Sequence, residues 1–186
     1  MSAEVATYRF SVEEFNKLGQ AGIFDEDNRV ELLDGEIIVM SPIGSRHAGI
    51  VMRLNWTLHR RLGDRVLLNP QNPAVLDEFS EPLPDLTLLR PRKDFYTSAH
   101  PRPEDILLLV EVSDTTLAYD RGRKLRKYAE RGLREVWIVN VKQQRIEQFR
   151  GPVGFTYSSS AQFRRDQTIT IEAFPDLQFA VEELIG

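Results

Sequence analysis

The stretch Ile106-Leu107-Leu108-Leu109-Val110-Glu111-Val112 decides how this chain is read. It is apolar at every position but one, and an uninterrupted run of that length suits a strand covered on both faces while being far too short to span a bilayer. The exception, Glu111, needs a reason, because burying an unpaired charge costs several kcal/mol. Downstream, Ser113-Asp114-Thr115-Thr116 supplies N-caps for a helix predicted from Leu117 to Arg131, about four turns long and stopped by Gly132. Val136-Trp137-Ile138-Val139 then reads as a second central strand.

Working outward toward the amino terminus, Leu86–Leu89, Ala74–Leu76 and Val66–Leu68 are short apolar runs broken by Pro70, Pro73, Pro82 and Pro84, the pattern of strands with irregular joints. Ile50, Val51, Leu54, Leu58 and Leu62 recur at three- and four-residue spacing before Gly63, which predicts an amphipathic helix from Arg46 to Leu62. Asp34-Gly35 sits between Arg29–Leu33 and Glu36–Met40 and favours the positive φ angles of a two-residue hairpin. Ser11-Val12-Glu13-Glu14 is a capping-box pattern, flanked by Phe10 and Phe15 as a hydrophobic staple, so a helix starts there and runs toward Leu18. Toward the carboxy terminus, Gln144–Phe149, Phe155–Tyr157 and Thr168–Ile171 read as a meander of more exposed strands. The order of helix, hairpin, helix, strands, helix and strands defines an α/β (α+β) domain built on a mixed sheet.

The chain has 186 residues, 41% hydrophobic and 28% charged, which suits one globular domain with a core of its own. A net charge of −4 excludes a uniformly basic binder, and the absence of cysteine excludes disulfide frameworks, thiolate zinc sites, iron–sulfur clusters and cysteine nucleophiles. The amino terminus carries no secretory-signal pattern, and a cytoplasmic protein with no membrane association is expected. No glycine-rich phosphate loop, nucleophile elbow or HExxH motif is present, and His47, His59 and His100 are not spaced as a metal cluster.

What remains for chemistry is a set of acids and one lysine. Pro84-Asp85 heads one strand and Glu111 lies near the end of the most buried one, so the two carboxylates can form a rigid oxygen pair for a hard divalent cation. Taken singly, Pro-Asp is often a turn and a strand-terminal Glu is more often solvated or paired with arginine. In the following helix Leu117, Lys124 and Tyr128 share one face, which puts an amine within reach of the acids; the bland alternative is a surface pair between Asp120 and Lys124 worth about 0.3–0.5 kcal/mol. From Leu117 to Glu135 seven basic and three acidic side chains give +4, against −8 for the rest of the chain, so this segment is a candidate track for a nucleic-acid backbone, although a solvated helix face is the commoner meaning of such a run.

Pro84-Asp85, Glu111-Val112-Ser113, Asp120-x-x-x-Lys124-x-x-x-Tyr128 and Gly132-Leu133-Arg134-Glu135-Val136-Trp137-Ile138-Val139 together resemble the Uma2 family of restriction-endonuclease-like proteins, within the PD-(D/E)XK nuclease superfamily. Val30-Glu31-Leu32-Leu33-Asp34-Gly35-Glu36 and Ser41-Pro42 through His47 resemble its amino-terminal half. The resemblance implies a single restriction-endonuclease-like domain over residues 8–180, with a mixed sheet flanked by helices, an added amino-terminal hairpin and carboxy-terminal strands. It implies phosphodiester hydrolysis in DNA with Mg²⁺ (or Mn²⁺). It assigns Asp85 and Glu111 as metal-binding acids, and Lys124 as the amine that replaces the motif lysine, whose usual position holds Ser113. Glu31 enters as a further metal or supporting acid, against the plain reading of a polar residue on a hairpin edge. Ser113 is expected to help hold the relocated lysine, and His47 to contact phosphate or the site, although a lone histidine is more often structural. A homodimer is expected. The alternatives are a non-catalytic nucleic-acid-binding module and a homodimeric interaction domain on the same fold.

Overall fold

A computed structural model of the chain describes residues 6–24 and 29–186. In order, it contains α1 (Val12–Gln20), β1 (Val30–Leu33), β2 (Glu36–Val39), α2 (Ser45–Leu62), β3 (Leu67–Pro70), β4 (Leu86–Leu89), β5 (Ile106–Ser113), α3 (Leu117–Tyr119), a π-helical stretch Asp120–Lys124, α4 (Leu125–Glu130), β6 (Glu135–Asn140), β7 (Arg145–Val153), β8 (Thr156–Arg164), β9 (Thr168–Ile171), β10 (Phe174–Ala180) and α5 (Val181–Ile185). Six strands form one mixed sheet in the order β3-β4-β5-β6-β7-β8. Only β5 and β6 run parallel, with Glu111 opposite Ile138 and Ser113 opposite Asn140. The helical segment between them makes the crossover that a parallel pair needs.

The apolar run becomes β5 for the reason its pattern suggests: both faces are covered. Leu108, Val110 and Val112 pack with Leu54 and Leu58 of α2, Leu86 and Leu88 of β4 and Trp137 of β6. On the opposite face Leu109 packs with Tyr128, Leu133, Val136 and Ile138. Each fully buried leucine contributes about 1.5–3 kcal/mol, so this double layer dominates the favourable side of folding. The period-two alternation of a strand then puts Glu111 and Ser113 on the face of Leu109, under α3 and α4.

The local signals resolve as their chemistry requires. Ser11 accepts from the Glu14 N–H and Glu14 accepts from the Ser11 N–H, the two halves of the capping box. Asp34 and Gly35 have φ of 54° and 81°, and a Cβ on Gly35 would lie 2.6 Å from the Arg9 Cβ, so glycine is required there by both angle and space. Helix α2 stops where Gly63 takes φ 53°.

Three expectations change. Ala74–Leu76 is an irregular segment, its N–H groups spent on Pro82, Pro101 and Ser80 carbonyls rather than on a strand ladder, because the surrounding prolines break the pairing. The helix predicted from Leu117 to Arg131 is interrupted by the π-helical stretch, in which Asp120 and Lys124 are both buried. At the carboxy terminus β9 pairs with β10 in a separate two-stranded sheet, and α5 packs on α2. Among the described residues no helix is long and apolar enough to cross a membrane.

Candidate active site

At the carboxy-terminal end of β5 the strand faces a cavity of about 370 Å³, roofed by Ile38 and Val39 of the hairpin and by the Met40–Gly44 loop. Its polar wall is assembled from four places. β1 supplies Glu31, the residue before β4 supplies Asp85, β5 supplies Glu111, and the π-helical stretch supplies Asp120 and Lys124. Pleat and register aim Glu31 inward, so the plain reading of a hairpin-edge acid fails: it is 0% exposed.

Lys124 is 2% exposed, and its Nζ lies 2.8 Å from Glu111 Oε1 and 3.2 Å from Glu31 Oε2. The surface Asp120–Lys124 pair is therefore replaced by a buried triad of one amine and two acids. Glu31 also accepts from the Leu83 N–H at 3.0 Å and from the Tyr119 hydroxyl at 3.2 Å. The Tyr128 hydroxyl donates to Glu111 Oε1, the same oxygen that Lys124 approaches. Among the described residues the hydrogen bond and the ion pair to Glu111 both fall on Oε1.

Asp85 is fixed by the sheet itself, its Oδ2 accepting from the Val112 N–H at 2.8 Å. His47, in the first turn of α2, brings Nε2 to 2.9 Å from Asp85 Oδ1. Ser113 is directed to Asp120 rather than to Lys124. Its hydroxyl donates to Asp120 Oδ2 at 2.7 Å, as does Thr116 at 2.6 Å, so Ser113 orients an acid whose charge in turn acts on the lysine.

The electrostatics are unbalanced. Burial pushes the Glu111 carboxyl up to about 8; Lys124 pulls it down, but Asp120, Asp85 and Glu31 push it further up. Burial alone would lower the Lys124 amine, yet Glu111, Glu31 and Asp120 outweigh it and hold the ammonium well above its usual range. Three carboxyl groups thus act on one ammonium, and Asp85 adds a fourth acid beside Glu111, an environment that favours added positive charge. No three His, Asp or Glu side chains among the described residues stand close enough to share an ion as they are. The donor chemistry nevertheless fits a divalent cation: carboxylate oxygens predominate, and the sealed His47 Nε2 lacks a hydrogen bond.

The basic run does not form a free track along the helix. Arg121 pairs with Glu147, Arg123 with Glu36, Lys127 with Asp34, Asp77 and Glu130, and Arg131 with Asp77. Arg126 lies over the Phe155 ring at 4.5 Å. These cations tie the helix to the hairpin and to the sheet, leaving Arg29 at the cavity as the cation whose Nη2 finds no acceptor among the described residues. Sequence reasoning missed Tyr119, Tyr128 and Arg29 as site residues. Tyr128 was within reach, since it shares the helical face of Lys124.

Comparison with known proteins bears on the family and the fold. The chain belongs to the Uma2 family, described as "Putative restriction endonuclease", whose profile matches residues 12–182. It is similar in fold to a solved structure described as a "putative nuclease belonging to DUF820" from Anabaena variabilis, at TM-score 0.67 and 14% identity over 95% of this chain and 97% of that one. No curated protein matches the chain. The family places the chain among nucleases, and the fold is nuclease-like.

Proposed function

We propose that the protein is a metal-dependent endonuclease that hydrolyses phosphodiester bonds in DNA, with Asp85, Glu111 and Lys124 as its catalytic groups. The observation that carries the reading is the junction of Glu31, Glu111 and Lys124 beside Asp85, at the end of the central strand and open to a cavity. Asp85 and Glu111 are the residues that would hold Mg²⁺ (or Mn²⁺). Bound there, the ion would polarise the scissile phosphate and lower the pKa of the attacking water.

The chain's own residues do the rest. Asp85, clamped by the Val112 N–H, offers Oδ1 to the cavity without rotating. Glu111 keeps Oε1 on Tyr128 and Lys124 and leaves Oε2 for the ion or its water. Lys124 places a fixed positive charge where negative charge grows on the phosphoryl oxygens, and low local polarity strengthens that interaction. Glu31 and Tyr119 hold Lys124 in place, while Arg29 meets the incoming phosphate. Ile38, Val39, Met40 and Pro42 line the apolar side of the cavity.

Mg²⁺-dependent nicking of supercoiled plasmid by the wild type, Asp85→Ala and Lys124→Ala tests the reading. Cleavage by the wild type and its loss in both variants is expected; equal activity in all three ends it. One observation favours a second reading, a nucleic-acid-binding domain that does not cut: Lys124 already engages both Glu31 and Glu111. That domain would bind DNA with a steep salt dependence and show no cleavage with any divalent ion.

A further inference from the structure

The catalytic assignment leaves the His47 imidazole of the cavity unused. His47 Nε2 is sealed from solvent and makes no hydrogen bond, although it lies only 2.9 Å from Asp85 Oδ1. A charged or neutral imidazole placed there as a simple partner of Asp85 would aim its N–H at the oxygen, because an unmade hydrogen bond in a buried site costs about 1–3 kcal/mol. Instead the two atoms stand side by side at that distance without making the bond.

Side-by-side donors are what a shared ion requires. Two ligand atoms each about 2.1 Å from an octahedral centre, at right angles, are about 3.0 Å apart. The His47–Asp85 separation matches that edge. Asp85 is already turned for it, since Oδ2 is occupied by the Val112 N–H and Oδ1 has only a long contact of 3.5 Å from the Gln71 amide besides His47. His47 is itself fixed by its place in the first turn of α2, whose apolar face is locked into the core by Ile50, Val51 and Leu54.

We infer that His47 is a nitrogen ligand of the ion held by Asp85, so that the site prefers a first-row transition ion such as Mn²⁺ or Co²⁺ over Mg²⁺. The inference rests on the metal-dependent reading above and deepens it by naming the class of cation. Mg²⁺ favours an all-oxygen shell and sheds water reluctantly, whereas imidazole nitrogen suits the first-row ions. Glu111, held by Tyr128 and Lys124 through Oε1, reaches the ion through water, and water or substrate phosphate fills the other places.

The test uses the full-length chain, as wild type, His47→Ala and His47→Gln, with folding checked by circular dichroism. Calorimetric titration with CoCl₂ and MgCl₂ is expected to show that His47→Ala weakens Co²⁺ binding by about 10–100-fold and Mg²⁺ binding by much less. In parallel, spin-echo spectroscopy of the Mn²⁺ complex should show modulation from a directly bound nitrogen in the wild type and none in His47→Ala. If a variant fails to fold, the wild-type spin-echo signal decides alone. An equal loss for both ions with no nitrogen modulation would make His47 only a positioning residue for Asp85 and overturn the inference, leaving the endonuclease reading intact. A wild type that binds no divalent ion would overturn both.

Discussion

Glu111 on β5 and Glu135 on β6 are buried carboxylates on neighbouring strands of one sheet, and their surroundings treat them in opposite ways. Glu135 receives the Trp137 indole N–H at 2.8 Å, the Gln148 amide at 2.7 Å and the Arg150 guanidinium at 3.0 Å on one oxygen, and the Glu172 N–H on the other. All of these come from protein groups that stay in place, and they knit β6 and β7 to the segment between β9 and β10. Glu111 shares one oxygen between Tyr128 and Lys124, offers the other to a cavity, and faces three further carboxyl groups. Burial raises both acids above their ordinary range. The distinguishing feature of the functional candidate is the demand for positive charge that its own neighbours leave unmet.

The largest expected effect separates the two acids by activity. Glu111→Gln should lower plasmid cleavage by about 10³-fold, equivalent to about 4 kcal/mol of transition-state stabilisation, while Glu135→Gln changes it by less than about threefold. A similar loss in both would break the contrast. Stability should reverse the ranking: Glu135→Ala strands Arg150, Trp137 Nε1 and the Glu172 N–H, and should cost about 3 kcal/mol in urea unfolding at neutral pH. A cost below about 1 kcal/mol would show that the Glu135 cluster does not hold the sheets together.

The pH dependence of stability sharpens the comparison further. With its carboxyl raised from 4.5 to about 8 in the fold, Glu111 favours folding in its protonated form. Its contribution is complete below the unfolded value and is lost as pH rises through about 8. Metal-free wild type should therefore lose stability across that window more steeply than Glu111→Gln, read as the urea midpoint against pH. Identical slopes would mean that the acid is not held protonated by its surroundings. The smallest effect is expected from Tyr128→Phe, which removes one donor to Glu111 while keeping the ring: about 1–2 kcal/mol in stability, and a lower apparent pKa for no group but a higher one for Glu111, seen as a shift of the same profile to higher pH.

Much of the fold was legible because it rests on local chemistry. The Ser11–Glu14 box, the Asp34-Gly35 turn and the spacing of Ile50, Leu54 and Leu58 state their outcome within a few residues. The β9–β10 sheet was only half legible: β10 carries Pro175 and Asp176 within its span and a register shift, which hide its alternation. In the candidate site, Asp85, Glu111 and Lys124 stood out as charges in apolar or patterned surroundings. Glu31 was named only through the family resemblance, because its burial comes from the closing of β1 over residues far along the chain, including Leu83 and Tyr119.

The basic helix shows the same division. Its composition was plain, but its partners, Glu147, Asp34, Asp77 and Glu36, lie on other elements, so a run that read as a nucleic-acid track is mostly spent on internal pairs. By itself, the sequence determined the elements, the central apolar strand and the kinds of groups available for chemistry, since these depend on spacing and side-chain type. Only the tertiary structure decided which charges meet. Ion pairing falls steeply with distance and desolvation, and neither is written along a chain until β1, β5, α2 and the π-helical stretch close around one cavity.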